Sequence, residues 1–482
     1  MRATIIVDPR AAVKIGPRAL RGTPIPRGVA RAQWFASIEQ GATGRGGVLR
    51  SLKLVLALLV VAAAVWTCQR AEREAPVVET AENLTLGAAG GEVAIDLADP
   101  ASGLRNVRVT LSHAEGETLL LEREFPGDLF LGGVLNARTL SPRIEAEALE
   151  AVRGDAWLRV EVRDWSLFEN GTLQEIPLSV DREAPEIEIA SGLTYLRQAG
   201  SGAVTYTLSE LAERDGVRVG EHFFHGFAKP GGEGLQRVAL FAIPPGTDPD
   251  LPVLVIAEDA VGNLAESGWA TVVKPWPLRD AHVTISPAFL ARILPRFDHG
   301  DAADLAAAFD DVNTRVRAEN ERRVRELIAE SDTQLSLDGG LQQMSGSMVT
   351  SRFGERRAYF LKGKRISEAV HLGYDLAATA RAPIGAAAPG RVVHAGDLGI
   401  YGKCVLIDHG LGLTTLYGHL SSLDVKAGQR VERNQQLGRS GATGLAGGDH
   451  LHFSVLVGDV YVDPIEWWDD EWVRTHVQTA LE

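Results

Sequence analysis

The run H-L-H-F-S-V-L-V, residues 450–457, is the part of this chain with the least conformational freedom. Leu451, Phe453 and Val455 alternate with His450, His452 and Ser454, the period of a half-buried β-strand. Residues two apart on a strand share a face at about 6 to 7 Å, so the two imidazoles enter one cleft while Leu451 and Phe453 face a core. Similar strand-like runs, punctuated by glycine, are R-V-V-H-A-G (391–396), G-K-C-V-L-I-D-H-G (402–410) and L-T-T-L-Y-G-H-L (413–420). The stretch from about 346 to 470 is therefore expected to be a small antiparallel β domain. Six of the chain's twelve histidines fall between His371 and His452, where an even spread would put about two, and that clustering needs a chemical reason.

Three groups of residues supply one: His371 and Asp375 in H-L-G-Y-D, His419 in Y-G-H-L, and the pair His450 and His452. One carboxylate and two imidazoles make a three-ligand zinc site with an open fourth position, the arrangement of catalytic rather than structural zinc. Such an ion lowers the pKa of water toward ~7 and polarises a carbonyl, while imidazoles outside the ligand set serve proton transfer and oxyanion stabilisation. His371 and Asp375 would be ~13 Å apart on a straight strand, too far to share an ion at ~2.1 Å, and Gly373 is expected to permit the bend. Spacing alone does not assign the two strand histidines. Only two cysteines occur, Cys68 and Cys404, which excludes a disulfide framework and a cysteine zinc knuckle, so any metal is held by nitrogen and oxygen. His394, His409, Asp408 and Cys404 read as scaffold.

At these residues the last quarter of the chain resembles the lysostaphin/LytM-type zinc endopeptidases of bacterial cell walls. The motifs are H-x-x-x-D at His371 and Asp375, Y-x-H-L ending at Leu420, and H-x-H at His450 and His452, with I-D-H-G-x-G-L-T-T-L-Y between them. The resemblance implies one zinc ion per catalytic domain, held by His371, Asp375 and His452. His419 and His450 would flank the water and the tetrahedral intermediate as catalytic residues. It also implies an antiparallel sheet with the metal on the floor of a groove, and the peptide stems of peptidoglycan as substrate. For an envelope protein without a wall-anchoring repeat, the D-Ala to diaminopimelate link is the expected bond. Asn434 stands where the family commonly has glycine, and Asn suits a left-handed turn residue. The segment R-F-G-E-R-R-A-Y-F-L-K-G-K-R-I-S-E-A-V ahead of His371 is unusual, which leaves that wall of the groove undefined.

A chain of 482 residues implies several cores. A net charge of −14 argues against a nucleic-acid partner, whose footprint would be basic. Residues 76–181 carry short alternating runs such as V-R-V-T-L-S and W-L-R-V-E-V-R-D. Residues 182–276 open with D-R-E-A-P-E-I-E-I and close with V-L-V-I-A-E-D-A-V-G-N-L-A. Both resemble bacterial immunoglobulin-like β-sandwiches, the second more specifically, and imply spacers or binding modules for an envelope protein partner. His222 and His225 lack neighbouring ligands and read as surface residues. Residues 277–345 read as a helical connector: Ser286 and Pro287 start a helix, and Leu305, Phe309, Val312, Val316 and Val324 keep helical spacing. Residues 471–482 read as a C-terminal tail. The expected class is mainly β and multidomain.

Residues 1–50 hold nine Lys or Arg against two acids and read as a basic leader or cytoplasmic tail. An apolar run, Leu54 to Trp66, follows within a signal-anchor or signal-peptide segment at 51–69. Thirteen helical residues span ~20 Å against a ~30 Å hydrocarbon core, which fits an export h-region, and Ala62 and Ala64 offer a cleavage site. Extension through Cys68 narrows that gap toward an inner-membrane anchor. The length of the leader suggests that translation starts at Val48. The localisation implied is the periplasmic side of the envelope. Two rival functions remain: a non-enzymatic regulator that activates wall amidases with the groove covered by residues 331–350, and an adhesin whose peptidase domain is a passenger.

Overall fold

The computed structural model describes residues 45–232 and 234–482. The expected basic leader lies outside the described residues as far as residue 44. From there the chain is a continuous helix, Arg45–Arg70, that carries the apolar run. The helix is longer than the run, since neither R-G-G-V-L-R-S-L-K nor T-C-Q-R contains a proline to end it.

A first β module follows. Its larger sheet has the strand order Leu84–Gly87, Gly171–Asp181, Ala156–Asp164, Leu104–His113, Gly116–Glu124, and the smaller one joins Val77–Glu79, Ile95–Ala98 and Ala137–Leu140. Along Ala156–Asp164 the residues Leu158, Val160 and Val162 are buried and Trp157 and Glu161 are exposed. That period-two pattern closes a core with Ile95, Leu97, Val109 and Ile176. The second module pairs two four-stranded sheets, one around Ser201–Leu208 and Gln236–Ala242, the other around Arg214–Val219 and Val253–Glu258.

The two modules share a device that sequence spacing concealed. In the second, Asn263 donates its amide to the carbonyls of Asp181 and Glu183 and to Asp259, pinning the incoming chain to the last hairpin. In the first, Asn170 does the same for the carbonyls of Glu72 and Glu74 and for Asp164. The pair is D-A-V-G-N in one and the longer D-W-S-L-F-E-N in the other, so the repeat was legible only in the second.

The connector departs from the expected helical reading at its start. Residues Arg279–Ile285 form a strand that pairs in parallel with Glu355–Leu361, which in turn pairs with Lys364–Val370. The alternation H-V-T-I favours an extended chain, and the unusual segment ahead of His371 supplies the partner. Ser286 then caps the helix Pro287–Ile293, accepting from Phe289 N at 3.1 Å with Pro287 in the first turn. Helical chain from Leu305 to Leu327 buries Phe309, Val312 and Val324 as their spacing requires.

The C-terminal domain is built on an antiparallel sheet in the order Met348–Ser351, Tyr374–Ala377, Leu451–Val457, Leu413–Leu420, Lys403–Gly410, Gly390–Asp397, Arg430–Val431. Its core is continuous with that of the second module. Asn434 takes φ 62°, as a left-handed turn requires. Residues 470–481 are helical rather than a free tail, because Val473 and Val477, one turn apart, bury on the domain.

Candidate metal centre and active site

Strand register brings the predicted residues together. In the pairing of Tyr374–Ala377 with Leu451–Val457, Asp375 lies opposite His452, and on the other side of that strand His452 lies opposite Gly418. Directly paired residues hold their Cβ atoms about 5 Å apart, so Asp375 and His452 converge without help from loops. His371 precedes the strand and is fixed by its backbone, which donates to Glu355 O at 2.9 Å and accepts from Gly354 N at 2.8 Å. Gly373 lies at a bend, as expected, and also makes room. A Cβ there would stand 2.5 Å from Phe453 O and 2.8 Å from His452 Cε1.

Three donor atoms meet at the centre. His371 Nε2 is 3.0 Å from Asp375 Oδ1 and 3.1 Å from His452 Nδ1, and His452 Nδ1 is 3.1 Å from Asp375 Oδ1. Two ligand atoms each ~2.1 Å from one ion in a tetrahedral site are ~3.4 Å apart, so this triangle is close to that of a bound divalent metal. The outer bonds agree. His371 Nδ1 donates to Arg352 O at 2.9 Å, which leaves the Nε2 lone pair for the centre. Ser454 Oγ lies 3.0 Å from His452 Nε2, and Arg357 donates to Asp375 Oδ2 at 2.9 Å. Donor types and spacing fit a metal ion.

The remaining two histidines stand beside this triangle. The ring of His419 is 4.8 Å from that of His450 and 5.7 Å from that of His452. His419 occupies the left-handed region at φ 63°, uncommon outside glycine, and its Nδ1 donates to Thr443 O at 2.9 Å. His450 Nδ1 donates to Gly448 O at 2.8 Å, and its Nε2 lies 3.5 Å from Asp375 Oδ1. In His419 Nε2 is the nitrogen left for a substrate, whereas in His450 Nε2 faces both the cavity and Asp375. Burial, with the neighbouring imidazoles, holds His419 well below its ordinary pKa, and burial pushes His452 down to about 4 against the pull of Asp375. Burial works the other way on Asp375, but His371, His450 and His452 outweigh it and keep the carboxyl well below the carboxylate range.

All five residues line one cavity of about 380 Å³. Its other wall comes from Thr284 of the connector strand, Ser286 just after it, Phe289, Arg317, and Tyr359 with Arg357 from the segment ahead of His371, the wall that the sequence left undefined. Arg292 reaches Gly447 O at 3.0 Å, and Arg296 reaches Ala442 O and Gly444 O at 2.8 and 3.0 Å, fastening the connector over the loop that precedes His450. Of residues 331–350, expected as a cover, the first part runs elsewhere. Ser331 and Asp332 bind Asp408, Ser336 N reaches His409 O, and Leu341 N reaches Trp467 O. Arg357 and Tyr359 share a strand face by their spacing, the one signal that pointed to them. Thr284 had none, since its place depends on a parallel pairing between distant segments. His222 is half-buried and lies 3.2 Å from Asp459, and His394, His409, Asp408 and Cys404 lie outside the cavity.

Comparison with known proteins agrees with this geometry. Residues 369–464 match peptidase family M23. The chain is 35% identical over 118 residues to peptidoglycan DD-endopeptidase ShyB of Vibrio cholerae, covering 24% of this chain and 27% of that protein. It is 38% identical over 109 residues to peptidoglycan DD-endopeptidase ShyA of the same organism, covering 23% and 25%. A crystal structure of a putative peptidase M23 from Pseudomonas aeruginosa superposes with a TM-score of 0.37 at 27% identity, over 57% of this chain and 94% of that one. The chain spans about a quarter of the length of the curated relatives it matches. All five residues of the site thus lie within the stretch, 369–464, that is similar to peptidase family M23.

Proposed function

We propose that this protein is a zinc-dependent endopeptidase of the bacterial envelope that hydrolyses peptide cross-links of peptidoglycan. The observation that carries the proposal is the triangle of His371 Nε2, Asp375 Oδ1 and His452 Nδ1, with edges of 3.0 to 3.1 Å, facing a cavity that also holds His419 and His450. His371, Asp375 and His452 hold the metal. A zinc ion there supplies Lewis acidity toward the scissile carbonyl and acidifies water.

The chain's own groups do the rest. With Nδ1 engaged by Thr443 O, His419 presents Nε2 to accept the proton of the attacking water and return it to the leaving amine. His450 Nδ1 donates to Gly448 O, and although burial lowers its pKa, Asp375 outweighs this and raises it, so the imidazolium carries a second N–H on Nε2 for the oxygen that gains charge as the carbonyl becomes tetrahedral. Arg357 orients Asp375, and the left-handed backbone at His419 sets its ring beside His450. The apolar helix anchors the chain in the inner membrane, and two immunoglobulin-like modules, residues 76–181 and 182–276, place the peptidase on the periplasmic side, with the D-Ala to diaminopimelate link as substrate and an envelope protein partner for the modules. The test is incubation of the full chain, in detergent, with purified peptidoglycan. Conversion of cross-linked to un-cross-linked stems, identified by mass after the glycan strands are cut with a muramidase, is expected, and cross-links left intact would refute it.

A further inference from the structure

The end of the apolar helix is bonded directly into the first β module. Arg70, itself buried, donates to the carbonyls of Leu129 and Trp165, and Leu167 N donates to Arg70 O at 2.9 Å. Four residues earlier the Trp66 indole donates to Phe130 O at 2.9 Å, and its ring lies 5.7 Å from that of Phe130. Trp66 belongs to the 18-residue apolar window Ser51–Cys68, none of which is buried within the protein. At 1.5 Å per residue that window is ~27 Å long, close to the ~30 Å hydrocarbon thickness of a bilayer. Whatever layer holds Trp66 therefore also holds the loop bonded to it.

That loop and its neighbour are apolar where water would normally demand otherwise. Leu129, Phe130, Leu131 and Val134 are 45%, 72%, 87% and 72% exposed, and Leu167 and Phe168, in the loop that meets Arg70 from the other side, are 39% and 53% exposed. Single exposed apolar residues need no explanation, but six on two loops that converge on one helix end form a patch. Arg73 stacks on Phe168 at 5.2 Å, placing a cation at the rim where lipid headgroups would lie. Aromatic side chains at the end of a span, followed by arginine, are the pattern of a membrane–water interface.

We infer that the loops 129–134 and 167–168 form a collar that inserts into the interfacial layer of the bilayer around the anchor helix, so that the first module stands rigidly on the membrane. This rests on the membrane-anchor reading above, and it adds a second, lipid-binding surface that belongs to the β module and not to the helix. The module would then project the peptidase toward the wall in a fixed direction instead of swinging on a tether.

The test uses the full chain in nanodiscs of phosphatidylethanolamine and phosphatidylglycerol, with Cys68→Ser as background. A fluorophore is attached in turn through Val61→Cys in the helix, Leu131→Cys in the collar, and Asp301→Cys on the remote connector. Quenching by brominated lipid is read for each. The collar predicts several-fold stronger quenching at both 61 and 131 than at 301. Quenching at 61 with 131 no different from 301 overturns the collar while leaving the anchor intact. Absence of quenching at 61 overturns the anchor reading and the collar with it. A label at 131 shielded from aqueous quencher but untouched by brominated lipid shows a second copy of the chain on the patch, which also overturns it.

Discussion

The guanidinium of Arg357 donates to Asp375 Oδ2 at 2.9 Å, while Asp375 Oδ1 meets His371 and His452 at 3.0 and 3.1 Å. One carboxylate thus joins the candidate metal centre to a strand that the M23 match, which begins at residue 369, does not include. Removing a partner that orients a ligand typically costs about 10- to 100-fold in metal affinity. Arg357→Met is therefore expected to weaken metal binding by about that factor, measured by competition with a chelating indicator. Arg357→Lys should recover only part of the loss, because a single ammonium does not reproduce the fork that also reaches Ser351 and Glu355.

The connector fastens itself over the cavity through Arg292 and Arg296. Thr284, Ser286 and Phe289 line the same cavity as His419 and His450. Combining Arg292→Ala with Arg296→Ala is expected to raise the rate on whole peptidoglycan several-fold while leaving metal content unchanged. An unaltered rate would show that the connector is a fixed wall of the groove and not a cover.

Acid sensitivity has a source in the scaffold. His409 is buried, with Nδ1 donating to Pro389 O at 2.7 Å and Thr415 Oγ1 2.8 Å from Nε2, and burial pushes its pKa down to about 4 from an unfolded value of about 6.5. The folded state therefore binds fewer protons than the unfolded one between these values. The stability this neutral ring contributes is full above pH ~6.5 and is lost as the pH falls toward ~4. His409→Gln, which keeps a donor and an acceptor, should flatten the pH dependence of the urea midpoint in that window.

The peptidase domain is not a free-standing unit in this fold. Arg197 of the second module meets Glu466 at 2.7 Å and Asp463 at 3.3 Å, and Trp467 donates its indole to Ser201 Oγ at 2.9 Å. Glu466→Ala should cost on the order of 3 kcal/mol, since it leaves a largely buried arginine short of a partner. A fragment of residues 346–482, which also lacks the strand Arg279–Ile285, should melt well below one of residues 182–482. Equal melting temperatures would contradict the shared core.

What the sequence showed and what it hid divide along the range of the interactions. The alternation around His450 and His452, the cap at Ser286 and the turn at Asn434 are local, and each is visible in a few residues. The strand Arg279–Ile285 is not, because its partner Glu355–Leu361 is distant along the chain and parallel pairing leaves no local mark. The same pairing places Arg357 and Thr284 in the cavity wall, so that wall could not be read ahead of the fold. The bend at Gly373 was legible, whereas the crowding of His452 and Phe453 against it was not. The helical turns at the C-terminus are short, and their one local mark is the i, i+4 spacing of Val473 and Val477.

The separation of metal holding from proton transfer is the centre of the account, and one measurement addresses it. The full chain, with His452→Ala and His419→Ala alongside, is purified in detergent, and zinc content and cleavage of purified cross-linked stem peptides are determined on the same samples. The prediction is one zinc per wild-type chain with cleavage, loss of both in His452→Ala, and zinc retained with cleavage lowered by about 10²- to 10⁴-fold in His419→Ala. Zinc retained in His452→Ala, or full cleavage by His419→Ala, would contradict it.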